Sequence, residues 1–163
     1  MYRWLPTSRR GLWAAFSVFA ALSLVFAVVM RAYGFAIIDE MWRPADILAH
    51  VGAMSPAQRT AHAWLTATAD VAYPFAYAAW LGGLAVAAFP DKRWLALPVL
   101  LCVPVDLAEG LSQVMILTGS ESWVSLKAVV TPVKLVLFVT GCLIGLAALI
   151  RLILRYRPGA PGV

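Results

Sequence analysis

The sequence predicts an all-α fold, a polytopic integral membrane protein built as a bundle of four transmembrane helices with a short extracytoplasmic helix in the first loop. The first observation is composition: 63% of the 163 residues are hydrophobic and 13% are charged, with a mean hydropathy of +0.84, whereas soluble domains are nearer half apolar. The second is distribution. The apolar residues fall into four runs, each long enough to cross a hydrocarbon core about 30 Å thick at about 1.5 Å per helical residue. These runs take up most of the chain, so one domain over 1–157 is expected, followed by a disordered proline- and glycine-rich tail at 158–163.

The first run spans 11–30. Arg9 and Arg10 before it resemble the charged start of a secretory signal, but the run is long for such a segment and no A-x-A site follows. It therefore reads as a retained helix. In the first loop, Pro44 followed by Ala45 to Val51 predicts a short helix stopped by Gly52. Ser55, Pro56 and Gln58 then supply an N-cap, a first-turn proline and a capping-box partner, so the second helix starts before its apolar run at 63–89. The third and fourth runs cover 94–117 and 123–150, separated by Thr118 to Ser122.

The N-terminus, the second loop and the tail carry eight Lys or Arg, against Arg31, Arg43 and Arg59 in the first loop. The positive-inside rule then places both termini in the cytoplasm of a cell with an inner membrane. Trp4, Trp13, Trp64, Trp94 and Trp123 near the run ends suit interfacial anchors. A net charge of +5 on such a chain reports loops facing anionic lipid, and no nucleic-acid partner is expected. Cys102 and Cys142 lie within apolar runs and read as small core hydrophobes. With His50 and His62 the only histidines, bis-histidine haem, H-E-x-x-H zinc and E-x-x-H di-iron sets are missing, so neither a metal nor another cofactor is expected.

Chemistry must come from ionisable groups inside the runs, because each is expensive at the bilayer centre. Asp70 lies on the second run, Asp106 and Glu109 on the third, Lys134 on the fourth. All four fall at similar depth, about eight to eleven residues from the outer ends, which predicts one cluster in the outer half of the bundle. Lys127, about one turn inside the outer end, is expected to snorkel to the headgroups. Asp106, Glu109 and Gln113 share one helical face, with Cys102 a turn further in. Pro74, Pro104 and Pro132 each free a carbonyl in a span, and two of them lie at the charged depth, which favours a hydrated pocket. Tyr73 and Tyr77 add phenolic donors, and Tyr77 shares the face of Asp70.

One reading of this cluster is a structural salt bridge between Lys134 and Asp106 or Glu109. Three carboxylates against one deep lysine leave acid in surplus, however, which suits an acid–base pair. Asp70, Asp106 and Glu109 are thus the candidate catalytic residues, with Tyr73, Tyr77, Gln113 and Lys134 as ligand-binding candidates.

Asp106-Leu107-Ala108-Glu109-Gly110 looks like the opening of the D-x-x-D-G motif of CDP-alcohol phosphotransferases, but the rest of that motif is missing. Small multidrug exporters have four spans and a binding Glu in the first, where this chain has no charge. Asp70 with Pro74 and Tyr77, Asp106 with Glu109, and Lys134 together resemble a small bacterial family of four-span proteins. That family is marked by Asp with a following Pro-x-x-Tyr, D-x-x-E-N and a fourth-span Lys. The likeness covers about 37–154, and Gly110 stands where the pattern has Asn. The layout is also similar to the emopamil-binding or EXPERA group, whose bundles hold sterol-like ligands and in one branch isomerise a ring double bond.

The function expected is binding of a lipophilic small molecule or lipid in the outer-half pocket, with isomerase- or cyclase-like acid–base chemistry available. The alternatives are a proton- or cation-linked transport component acting as a homo-oligomer, and a non-catalytic assembly partner in the membrane.

Overall fold

The computed structural model describes Tyr2 and residues 4–155. Arg3, Arg157 and the tail at 158–163 expected to be disordered lie outside the described residues. The elements are α1 (Arg9–Tyr33), α2 (Pro44–Ala53), α3 (Pro56–Ala67), α4 (Ala69–Ala88), α5 (Leu97–Leu117) and α6 (Val124–Arg155). Short 3-10 turns at Pro90–Ala96 and Glu121–Trp123 lead into α5 and α6. Among the described residues there is no strand. Four helical stretches, Arg9–Tyr33, Pro56–Ala88, Pro90–Leu117 and Glu121–Arg155, are long and apolar enough to cross a membrane. The protein is an all-α membrane bundle.

Helix α1 starts where the Ser8 hydroxyl accepts from the Gly11 N–H at 3.1 Å and stops at Gly34, whose φ of 63° closes the helix onto the Met30 carbonyl. No residue of α1 is fully buried. It leans on α4 through Phe16 and Phe19 against Trp80 and through Phe19 and Phe26 against Tyr73, and Ser23 meets the Tyr73 hydroxyl at 3.2 Å.

Helix α2 runs through Gly52, where the sequence suggested a stop, and ends at the extended Met54. A single helical glycine costs only about 1 kcal/mol, and burial of Ile47 and Val51 in the turns before it outweighs that cost. These two side chains join Phe35, Ile38, Leu65, Ile116 and Val124 in an apolar cluster that closes one end of the bundle, called here the α2 end.

The capping box at Ser55 forms as the spacing predicts: the Gln58 N–H donates to the Ser55 hydroxyl at 3.3 Å and the Ser55 N–H to Gln58 Oε1 at 2.9 Å. The Gln58 amide also donates to the carbonyls of Tyr33 and Gly34, at 3.1 and 2.8 Å, tying the start of α3 to the end of α1.

The second span is not one helix. At Thr68 the backbone leaves helical geometry (φ −121°, ψ −80°), and the Thr68 hydroxyl donates back to the Trp64 carbonyl at 2.6 Å. No glycine or proline marks this break. Its consequence is positional, because Asp70 falls in the first turn of α4. Helix α6 packs along α5 and α4 through small residues: Gly141 faces Val99 and Gly145 faces Leu81, so that the backbones approach closely.

Candidate functional site: a charged cluster with one carboxylate left over

Asp70, Asp106, Glu109, Lys127 and Lys134 all project into the bundle. Helix α5 supplies two acids one turn apart, and α6 supplies Lys127, Thr131 and Lys134, which at spacings of four and three residues line a single face. Glu109 is wholly buried and sits between both lysines: Lys127 Nζ lies 2.6 Å from Oε1, while Lys134 pairs with Oε2. The Thr131 hydroxyl also donates to Oε1 and accepts from Lys127 at 3.2 Å. Lys134 reaches Asp106 Oδ1 at 3.3 Å as well. On the other side, the Tyr77 hydroxyl donates to Asp106 Oδ2 at 2.9 Å and lies 3.2 Å from Cys102 Sγ. The Cys102 thiol in turn points to the Lys134 carbonyl at 3.6 Å.

The expectation that Lys127 snorkels to the headgroups is therefore overturned: its side chain is 0% exposed. Depth along the helix suggested the surface, but rotation about the axis decides, and Lys127 is on the same face as Lys134. Two deep lysines, not one, neutralise the acids. A further carboxylate offsets the second lysine. Asp39, half-buried in the first loop, is close enough to act electrostatically on Asp70, Asp106, Lys127 and Lys134. Three carboxylates from the spans thus face two lysines, with Asp39 within electrostatic reach.

Sequence reasoning missed Asp39 because a loop has no periodicity from which to read its direction. Lys127 was within reach of the sequence, since 127, 131 and 134 recur at helical spacing.

Asp70 differs from the other acids. It is 8% exposed, yet no hydrogen bond or ion pair holds its carboxylate among the described residues. It lies instead on a cavity of about 220 Å³ shared with Asp106, Thr66, Gly110 and the apolar side chains Val71, Leu107, Leu111 and Val114. Gly110 creates part of this space, for a Cβ there would stand 3.5 Å from Asp70 Oδ2 and 3.6 Å from Thr66 Cγ2. Val71 and Leu111 are exposed on the outside of the bundle, so the cavity has an apolar rim. The break at Thr68 explains how a lone carboxylate is tolerated: the free N–H groups and positive end of α4 lie beside it.

The ligand-binding candidates separate. Tyr77 and Lys134 are in the cluster. Tyr73 turns away toward Ser23, Phe19 and Phe26 on α1, touching the cluster only through its ring contact with Tyr77. Gln113 is wholly buried but neither atom of its amide has a partner. A larger groove of about 690 Å³ between α1 and α3, bordered by Val25, Val29, Tyr33 and Trp64, contains no carboxylate, amine or imidazole and is mainly apolar, with Tyr33, Thr60 and Thr68 as its hydroxyl-bearing residues. Among the described residues no three His, Cys, Asp or Glu side chains converge as metal ligands. Compared with family models, curated proteins and solved structures, the chain shows no match.

Proposed function

We propose that this membrane protein binds a lipophilic small molecule by its polar end, with Asp70 as the anchoring group and the available acid–base residue. The observation that carries this reading is the unpartnered Asp70 carboxylate on an apolar-rimmed cavity. A structural salt-bridge network accounts for Glu109, Asp106 and both lysines, each of which has a charged partner. It does not account for Asp70, which has only the positive end of α4 beside it and gains from a ligand that supplies a donor.

The volume limits the ligand. Pockets for whole drug-sized molecules run about 300–1,000 Å³, so a 220 Å³ cavity takes a polar head and a few carbons while the rest lies against Val71 and Leu111 in the bilayer. The head must offer a hydrogen-bond donor, a protonated amine or a hydroxyl, since Asp70 and Asp106 are the charged groups that border the cavity. The surplus of three buried acids over two lysines also supports a second reading, a cation- or proton-linked transport component in which Asp70 carries the exchangeable charge. The arginine and lysine distribution supports N- and C-termini in the cytoplasm of a bacterial inner-membrane protein, with the α2 end outside.

The test is retention. Wild type and Asp70→Asn are purified into nanodiscs formed from the host's own membranes, then analysed by native mass spectrometry and solvent extraction. A discrete bound species in the wild type that disappears in Asp70→Asn, at unchanged unfolding midpoint, supports the reading. Identical extracts from the two proteins sink it. Cysteine labelling at Ser120→Cys in a background lacking Cys102 and Cys142 tests orientation: modification only from the cytoplasmic side reverses the assignment.

A further inference from the structure

Two wholly buried polar side chains take no part in the network described so far. His62 on α3 and Gln113 on α5 are each 0% exposed, and both ring nitrogens of His62 and both amide heteroatoms of Gln113 lack any hydrogen-bond partner. Buried polar atoms are nearly always satisfied, so four orphaned atoms on two facing helices call for a common explanation.

Their positions supply one. Helices α3 and α5 run antiparallel, and Thr66 and Gly110 meet at the Asp70 cavity. One turn toward the α2 end from Thr66 is His62, and one turn toward the same end from Gly110 is Gln113. Both therefore sit at one level, about 5 Å beyond Thr66 and Gly110. One turn beyond Gln113, Ile116 belongs to the apolar cluster that closes the bundle, and Phe35 of that cluster stacks on the His62 ring at 5.0 Å.

We propose that His62 and Gln113 form a second polar subsite, continuous with the Asp70 cavity, that takes a neutral hydroxyl of the same ligand. The inference rests on the reading of Asp70 as the anchor. Its chemistry follows from the donors and acceptors present. A neutral imidazole offers one N–H and one lone pair, and a carboxamide offers two N–H groups and a carbonyl. A hydroxyl donates and accepts at once and meets both. An ammonium cannot accept from either side chain, and a carboxylate would add to the acid already in surplus over Lys127 and Lys134. The ligand is accordingly bifunctional: a cationic or donor group at Asp70 and a hydroxyl one helical turn away, both on an apolar body.

The experiment uses the full chain in nanodiscs and two probes, N-propyldodecylamine and N-(3-hydroxypropyl)dodecylamine, which share the secondary amine and both chains and differ only in a hydroxyl three carbons from the nitrogen. Wild type is expected to bind the amino alcohol about tenfold more tightly, the worth of one or two net hydrogen bonds. Gln113→Met, and independently His62→Phe, which keeps an aromatic ring against Phe35, should erase this preference and leave N-propyldodecylamine affinity unchanged. The ligand-free unfolding midpoint of both variants should hold or rise, because the polar groups removed had no partner to lose. Equal affinity of the wild type for the two probes overturns the subsite. Loss of binding of both probes in Asp70→Asn together with a hydroxyl preference in the wild type supports both readings. Failure of both probes to bind the wild type sinks the Asp70 reading itself.

Discussion

Replacing Lys127 by Met removes one charge and keeps an unbranched stem, so it isolates the ion pair. Depth along the sequence would make this change harmless. The structure assigns it a large effect, because Lys127 and Glu109 are both fully buried at 2.6 Å, and breaking a buried pair costs about 3–5 kcal/mol through the stranded partner. Glu109 retains Lys134 on Oε2 and Thr131 on Oε1, which places the loss at the lower end, about 3 kcal/mol or roughly a hundredfold in the folding equilibrium. Unfolding by dodecyl sulfate in mild-detergent micelles, followed by circular dichroism, measures it. Lys92→Met is the control: Lys92 is exposed, and its change should stay within about 0.5 kcal/mol. The double variant Lys127→Met/Glu109→Gln should recover more than half of the loss, since it leaves no unmatched acid at that position, while Lys134 keeps Asp106. If Lys127→Met matched Lys92→Met, Lys127 would reside at the headgroups and the paired geometry of Glu109 would be wrong.

Other substitutions probe the remaining parts. Tyr77→Phe deletes the donor to Asp106 and the contact with Cys102 and should lower stability in the same assay by about 1.5–3 kcal/mol, the range for a hydrogen bond to a charged group. Gly110→Asn should fill the cavity and give Asp70 a carboxamide donor, removing ligand retention in the nanodisc extraction while the fold survives, because asparagine is no worse a helix former than glycine. Gln58→Ala breaks the capping box and both ties to the end of α1. It should cost about 1–2 kcal/mol and show as faster limited proteolysis between Gly34 and Ser55.

The helices were legible because a bilayer demands long apolar runs, and the start of α3 was legible because a capping box is a local pattern of three residues. The site was legible in part for the same reason: acids in apolar runs stand out, and helical spacing brought Asp106, Glu109 and Gln113 onto one face. What escaped the sequence depended on rotation and on chain breaks. Lys127 was assigned from its depth, when its register with Thr131 and Lys134 turned it inward. The interruption at Thr68 has no proline or glycine to announce it, and with it the placement of Asp70 at a helix start was hidden. His62 passed as a lone histidine because the level it shares with Gln113 exists only once α3 and α5 are docked at Thr66 and Gly110.

The pairing of α5 with α6 bears on how the chain enters its membrane. Each charge near a bilayer centre opposes insertion by about 2.5–3.5 kcal/mol on translocon scales, so α5 and α6 taken singly carry two such burdens each. Their signs are opposite, Asp106 and Glu109 against Lys127 and Lys134, and only the short stretch 118–123 separates the two helices. A hairpin that closes before leaving the insertion machinery exposes neither pair to lipid, whereas helices released one at a time expose both. Biogenesis should therefore proceed with these two helices partitioning together. Pulse-labelled insertion intermediates truncated after Leu117 would then be retained poorly, and those extended past Lys134 well.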